Sequence, residues 1–96
     1  MAAYPIDSAA VSWVDSGGNV NISVFWSDGY TVKQRVFASG GWTSGGFSQS
    51  GGQVSATAWQ ANGEAYIRVY CTFEDVMTEW CQDAGGSWYQ GGFTID

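Results

Sequence analysis

Along Ala65–Cys71 the side chains alternate one by one: Ile67, Val69 and Cys71 fall on one side, Tyr66, Arg68 and Tyr70 on the other. A period of two belongs to a β-strand, whose successive side chains point to opposite faces of the sheet. The same alternation sets Ile22, Val24 and Trp26 against Asn21, Ser23 and Phe25. The first-named set is apolar in both segments, so it is expected to pack between sheets. Extended along the chain, the pattern predicts strands around Ala9–Trp13, Val20–Trp26, Thr31–Phe37 and Gly41–Thr43, then around Val54–Trp59, Ala65–Cys71, Val76–Cys81 and Ser87–Tyr89. Turn sequences separate them, among them Ser27-Asp28-Gly29, Ala61-Asn62-Gly63 and Ala84-Gly85-Gly86. Asp-Gly and Asn-Gly tolerate positive φ and mark tight hairpins. No window of helical length carries apolar residues at three- and four-residue spacing, so the fold class is all-β.

The two halves repeat one another. Trp13 and Trp59 stand 46 positions apart, as do Trp42 and Trp88, and Gly41-Trp42-Thr43-Ser44-Gly45-Gly46-Phe47 is echoed by Ser87-Trp88-Tyr89-Gln90-Gly91-Gly92-Phe93. Strand-rich repeats of roughly 40–50 residues are the signature of propeller blades. The reading is a lead-in over 1–8, a first repeat over 9–48, a linker over 49–53 and a second repeat over 54–96. Two such units leave outer faces and edges exposed, and repeat architectures need about three or more units for a continuous core. A closed ring of several copies removes the edges, so a homo-oligomer is expected.

Charge narrows the partners. Three basic residues, Lys33, Arg35 and Arg68, face nine acidic ones, for a net charge of −6. That balance argues against nucleic acid, whose phosphates demand a basic stripe, and against direct binding to anionic lipid. Met1-Ala2-Ala3 runs straight into Tyr4-Pro5-Ile6-Asp7 without the basic and apolar regions of a signal peptide. Six Trp are too many for so small a core, and some are expected as surface platforms. Cys71 and Cys81 align with Trp26 and Val36 of the first repeat. They therefore read first as small core residues, with a disulfide left open. With no His and two Cys, no metal or other cofactor is implied.

Comparing the repeats isolates the candidate chemistry. Aligned from Ile22 and Ile67, Ser23 stands where Arg68 does and Gln34 where Glu79 does. Joint change makes electrostatic sense, because deleting one partner of a partly buried ion pair strands the other at a cost of about 3–5 kcal/mol. One reading is a salt bridge tying a hairpin. The other is a sugar site: an Arg fork and a carboxylate can satisfy several hydroxyls at once, while an aromatic face covers the C–H patch. A glycosidase would need two carboxylates about 5–10 Å apart. The candidates are Glu64, Glu74, Asp75, Glu79 and Asp83. Glu74 and Asp75 sit in a turn, and a Glu79 beside an Arg stays ionised, the wrong state for a general acid. Catalysis is therefore not expected. A structural or protein-interaction module using Trp and Tyr as hot spots is the other alternative.

Ile67-Arg68-Val69-Tyr70, Thr78-Glu79-Trp80-Cys81 and Gly86-Ser87-Trp88-Tyr89-Gln90-Gly91-Gly92-Phe93, in this order, resemble the repeat of the fucose-binding lectins typified by the Aleuria aurantia lectin. The length resembles that of the short two-repeat members from Ralstonia and Burkholderia. The resemblance implies a six-bladed β-propeller assembled from three two-blade chains. It also implies sites between blades for L-fucose and fucosylated glycans. In each, Arg and Glu of one blade bind the hydroxyls and ring oxygen, and aromatics of the next cover the apolar face. Carried over, Arg68 and Glu79 match the polar pair, and Trp42 and Trp88 match the Trp of the Gly-Trp segment. Phe37 and Gln82 occupy the position of a further Trp. The resemblance thus implies one inter-chain site of Arg68, Glu79, Phe37 and Trp42. It implies a second, degenerate site of Ser23, Gln34, Gln82 and Trp88, and so about three working sites per ring rather than six.

Overall fold

The computed structural model describes residues 4–95; the first three residues of the lead-in and the last residue of the second repeat lie outside the described residues. Strands β1 (Asp7–Val14), β2 (Val20–Ser27), β3 (Thr31–Ala38) and β4 (Gly41–Ser50) form one antiparallel sheet in chain order. Strands β5 (Gln53–Ala61), β6 (Glu64–Phe73), β7 (Val76–Asp83) and β8 (Tyr89–Gln90) form a second. The protein is all-β, with no helix among the described residues.

Turn chemistry accounts for the hairpins. Ser39-Gly40 and Asn62-Gly63 each place two successive residues at positive φ, the type I′ geometry that matches the twist of the flanking strands. Asp15 accepts the amides of Gly17 and Asn19, and Asp28 those of Tyr30 and Thr31. These backbone bonds hold both carboxyls below their ordinary range. The expected five-residue linker is shorter in the structure. β4 runs to Ser50 and β5 begins at Gln53, leaving Gly51-Gly52 as the joint. Gly51 is buried, and a Cβ there would press on Val32 of the first sheet at 2.7 Å and on Cys71 of the second at 3.1 Å. Only glycine lets the chain pass between the sheets at this point. The lead-in is also partly strand, since the Ile6 amide bonds the Ser27 carbonyl and β1 begins at Asp7.

The two sheets stack through unlike faces. The first contributes Val11, Phe25, Val32 and Phe47 to the common core; the second contributes Val54, Ile67, Val69 and Cys71. Full burial of a side chain such as Phe25, 0% exposed, is worth roughly 1.5–3 kcal/mol. The inward expectation for Ile67, Val69 and Cys71 agrees with this core. The matching expectation for Ile22, Val24 and Trp26 was wrong. The first sheet turns Ser23, Phe25 and Ser27 inward, and Ile22, Val24 and Trp26 are only half-buried on its outer side. Phe25 and Phe47 supply the apolar bulk there, while the polar members are satisfied by hydrogen bonds: Gln34 to Ser23 and Ser27 to the Gly51 carbonyl. The seam between β1 and β5 is closed by Gln60, whose amide accepts from the Val14 N–H and donates to the Val14 carbonyl.

Candidate ligand-binding faces

Register decides which candidates share a face. Across β6 and β7, Tyr70 stands opposite Glu79 and Arg68 opposite Cys81. Arg68, Tyr70, Glu79 and Cys81 therefore project from the outer face of the second sheet, with Arg68 and Glu79 diagonal to one another. Glu79 is pinned from three directions. Its carboxylate accepts the Tyr70 hydroxyl at 2.8 Å and the Phe93 amide at 3.1 Å, and its carbonyl accepts the Gly91 amide at 2.8 Å. The chain passes so close over the carboxylate that a Cβ at Gly91 would collide with it. The hydrogen bond to Glu79 and burial together raise the Tyr70 pKa.

Arg68 is held by a different acid from the one expected. Its ion pair is with Asp83, Nη1 to Oδ1 at 2.8 Å, not with Glu79. Nη1 also donates to the Ile67 carbonyl at 3.0 Å. The guanidinium lies 4.8 Å from the ring centre of Trp59, a cation–π distance. Trp59 is in turn stacked on Tyr66, with ring planes 8° apart. The Tyr89 hydroxyl donates to the other oxygen of Asp83. That bond and the Arg68 bond depress the Asp83 pKa, while Tyr89 is pushed up to about 12. Both of these Arg68 bonds use Nη1, so a fork of donors and a fixed carboxylate stand on one uncovered face. Comparison of the repeats did not single out Tyr70, Trp59, Tyr66 or Tyr89, nor Asp83, which was named only among the candidate carboxylates although its counterpart Ala38 is uncharged. Extending it to the paired positions would have found most of them.

The other expected residues fall on two further surfaces. Phe37 and Trp42 pack at 5.3 Å between ring centres on the outer face of the first sheet, with Trp42 47% exposed. In a single chain they face away from Arg68 and Glu79, at opposite ends of the stack. Ser23, Gln34, Gln82 and Trp88 all project between the sheets. Gln34, 6% exposed, donates to Ser23, 1% exposed, at 3.0 Å and accepts the Phe47 amide at 3.4 Å. Gln34 thus takes the place in the first sheet that Glu79 holds in the second. Trp88 is wedged edge-on against Phe25 and Phe47, with centroids 5.9 and 4.7 Å away. Gln82 bonds the Gly86 carbonyl and, with Trp13, Asp15, Glu64 and Ile67, lines a cleft of about 240 Å³. Neither Ser23, Gln34 nor Trp88 reaches that cleft.

Cys71 and Cys81 are both free and buried. Cys71 lies on the inner face of the second sheet, while Cys81, opposite Arg68, lies on the outer. The sheet itself separates them, which decides the disulfide left open by the sequence. Burial pushes the Cys71 thiol up to about 11 and raises Cys81 as well. Among the described residues no group of three or more Cys, Asp or Glu side chains is placed to hold a metal ion.

The chain matches no model of a protein family, and no curated protein matches it significantly.

Proposed function

We propose that this chain is a lectin that recognises L-fucose and fucosylated glycans, with three copies closing a six-bladed propeller. The observation that carries this reading is the stacking of unlike faces. The first sheet is covered on its Ser23–Gln34 side by the Ile67–Val69 side of the second. Repeating that joint between copies sets the uncovered Arg68–Glu79 face against the uncovered Ile22–Val24 face, which carries Phe37 and Trp42. Such a head-to-tail joint generates a ring when its rotation closes. Each inter-chain joint then pairs a guanidinium and a carboxylate with two aromatic rings. That is the combination a sugar with one apolar and one hydroxylated side requires.

The joint within a chain has the same layout but lacks the chemistry. Ser23 and Gln34 satisfy each other, and Trp88 packs against Phe25 and Phe47. One working site per chain follows. Solution mass measured together with calorimetric titration of L-fucose tests both parts. Three chains per particle and about one fucose per chain are expected. A monomer binding at full strength, or about two fucoses per chain, would refute the assignment. Clustering of sites on one ring raises avidity for multivalent glycans by roughly 10²–10⁴-fold.

A further inference from the structure

We propose that Asp83, backed by Tyr89 and flanked by the Trp59–Tyr66 stack, is the positioning residue that presents Arg68 to its ligand. The inference rests on the ligand-binding reading of Arg68 and Glu79 and assigns residues that reading does not use. Its first support is geometric. The Arg68 guanidinium is fixed by an ion pair of 2.8 Å to Asp83, and it lies 4.8 Å from the ring centre of Trp59. Tyr89 holds the second oxygen of Asp83, and Tyr66 lies parallel to Trp59. Anchoring through Nη1 leaves the remaining donors of a rigid fork for another partner.

The second support is the internal control that the repeat provides. The two sheets share one pairing pattern. Ser23 stands opposite Val36 as Arg68 stands opposite Cys81, and Asn21 opposite Trp13 as Tyr66 opposite Trp59. Thr43 stands opposite Val36 as Tyr89 opposite Cys81, and Ala38 follows Phe37 as Asp83 follows Gln82. Where the arginine is a serine, the aspartate is therefore an alanine, one tyrosine is an asparagine and the other a threonine. Only the Trp is common to both, and in the first sheet Trp13 packs against the core instead.

A tie between strands does not account for this investment. β6 and β7 are already joined along a ladder from Tyr66–Asp83 to Phe73–Val76, and an ion pair only part-buried, with its Asp83 end open to solvent, adds little to such a ladder. What the cluster does achieve is to remove rotamer freedom from a long side chain before a ligand arrives, which improves affinity by lowering the ordering cost.

The test is made on the full chain, with two measurements on the wild type, D83A, D83N and Y89F. Nitrogen NMR reads the guanidinium hydrogens; the chain has two arginines, Arg35 and Arg68, so assignment is direct. Calorimetry reads L-fucose affinity, and circular dichroism and solution mass verify fold and assembly. Wild type is expected to show slowly rotating, resolved Arg68 signals. D83A should average them and weaken L-fucose roughly threefold to tenfold. D83N, which keeps an acceptor, should fall between, and Y89F should show a smaller loss in the same direction. Should D83A fail to fold, Y89F carries the test, because it leaves Asp83 and the β6–β7 ladder in place. Unchanged L-fucose affinity in a folded variant, or Arg68 signals indifferent to Asp83, overturns the positioning role alone. A wild-type chain that binds no L-fucose overturns the lectin reading and this role together.

Discussion

Gly45 and Gly46 are neighbours in sequence, and the structure assigns them opposite responses to the same substitution. At Gly46 an added Cβ meets nothing within 4 Å. Neither glycine is at positive φ, so G46A should be neutral or stabilise by about 0.4–1 kcal/mol through loss of unfolded-chain freedom. At Gly45 the added Cβ would strike the Cγ, Cδ and Oε1 of Gln34 together. Gln34 is buried and cannot swing aside without giving up its bonds to Ser23 at 3.0 Å and to the Phe47 amide at 3.4 Å. Two hydrogen bonds at about 1 kcal/mol each, plus about 1–3 kcal/mol for a buried group left unsatisfied, outweigh the entropic gain. G45A should therefore be less stable than wild type by about 2–4.5 kcal/mol. Equilibrium urea denaturation followed by Trp fluorescence measures the difference. Chain concentration must be equal throughout, because the proposed assembly would contribute to apparent stability. If G45A and G46A agree within about 0.5 kcal/mol, the Gln34 cradle is not what holds β4 against β3.

Two further outcomes follow from the titrating side chains. In the folded chain neither Cys71 nor Cys81 should react appreciably with an aromatic disulfide reagent at about pH 8, since burial raises both thiols; denaturation should release both. Mild oxidation should give no internal Cys71–Cys81 bond, and a mass loss of two hydrogens in folded monomeric chain would refute the opposite-face placement. Tyr89 should be the last phenol to ionise in an alkaline absorbance titration, near 12 rather than the usual value of about 10, and Y89F should remove that phase. Because the folded pKa is raised, the stability tied to this phenol is complete below about pH 10 and declines as pH climbs toward about 12. An ordinary value for Tyr89 would mean that its bond to Asp83 does not form.

Much of this protein can be read from residue order alone. Two-residue alternation located six of the strands to within a few residues, because the pleat imposes that period on any half-buried strand; the fourth was expected over Gly41–Thr43 and instead runs to Ser50. The last strand was displaced, from Ser87–Tyr89 to Tyr89–Gln90. Beyond Gln90 the chain lifts over the Glu79 carboxylate, a close approach that Gly91 permits and no strand pattern encodes. Alternation also grouped Arg68 with Tyr70 and Ile67 with Val69, which depends on nothing beyond one strand. The repeat singled out Arg68 and Glu79 because their counterparts lack charge.

Tertiary structure alone decided what lies opposite each face. Ile22, Val24 and Trp26 are more apolar than Ser23, Phe25 and Ser27, yet the second set is covered. A sheet buries the side against which its neighbour stacks, and hydrogen bonds make polar residues tolerable there. Similarly, residue order offered Arg68 several acids; register sets both Glu79 and Asp83 diagonal to it, and with Glu79 engaged by the Tyr70 hydroxyl and the Phe93 amide, the ion pair forms with Asp83. Periodicity specifies which side chains stand together, since it is a property of the local backbone. It cannot specify which of two faces meets a partner, since that depends on the shape and position of another sheet.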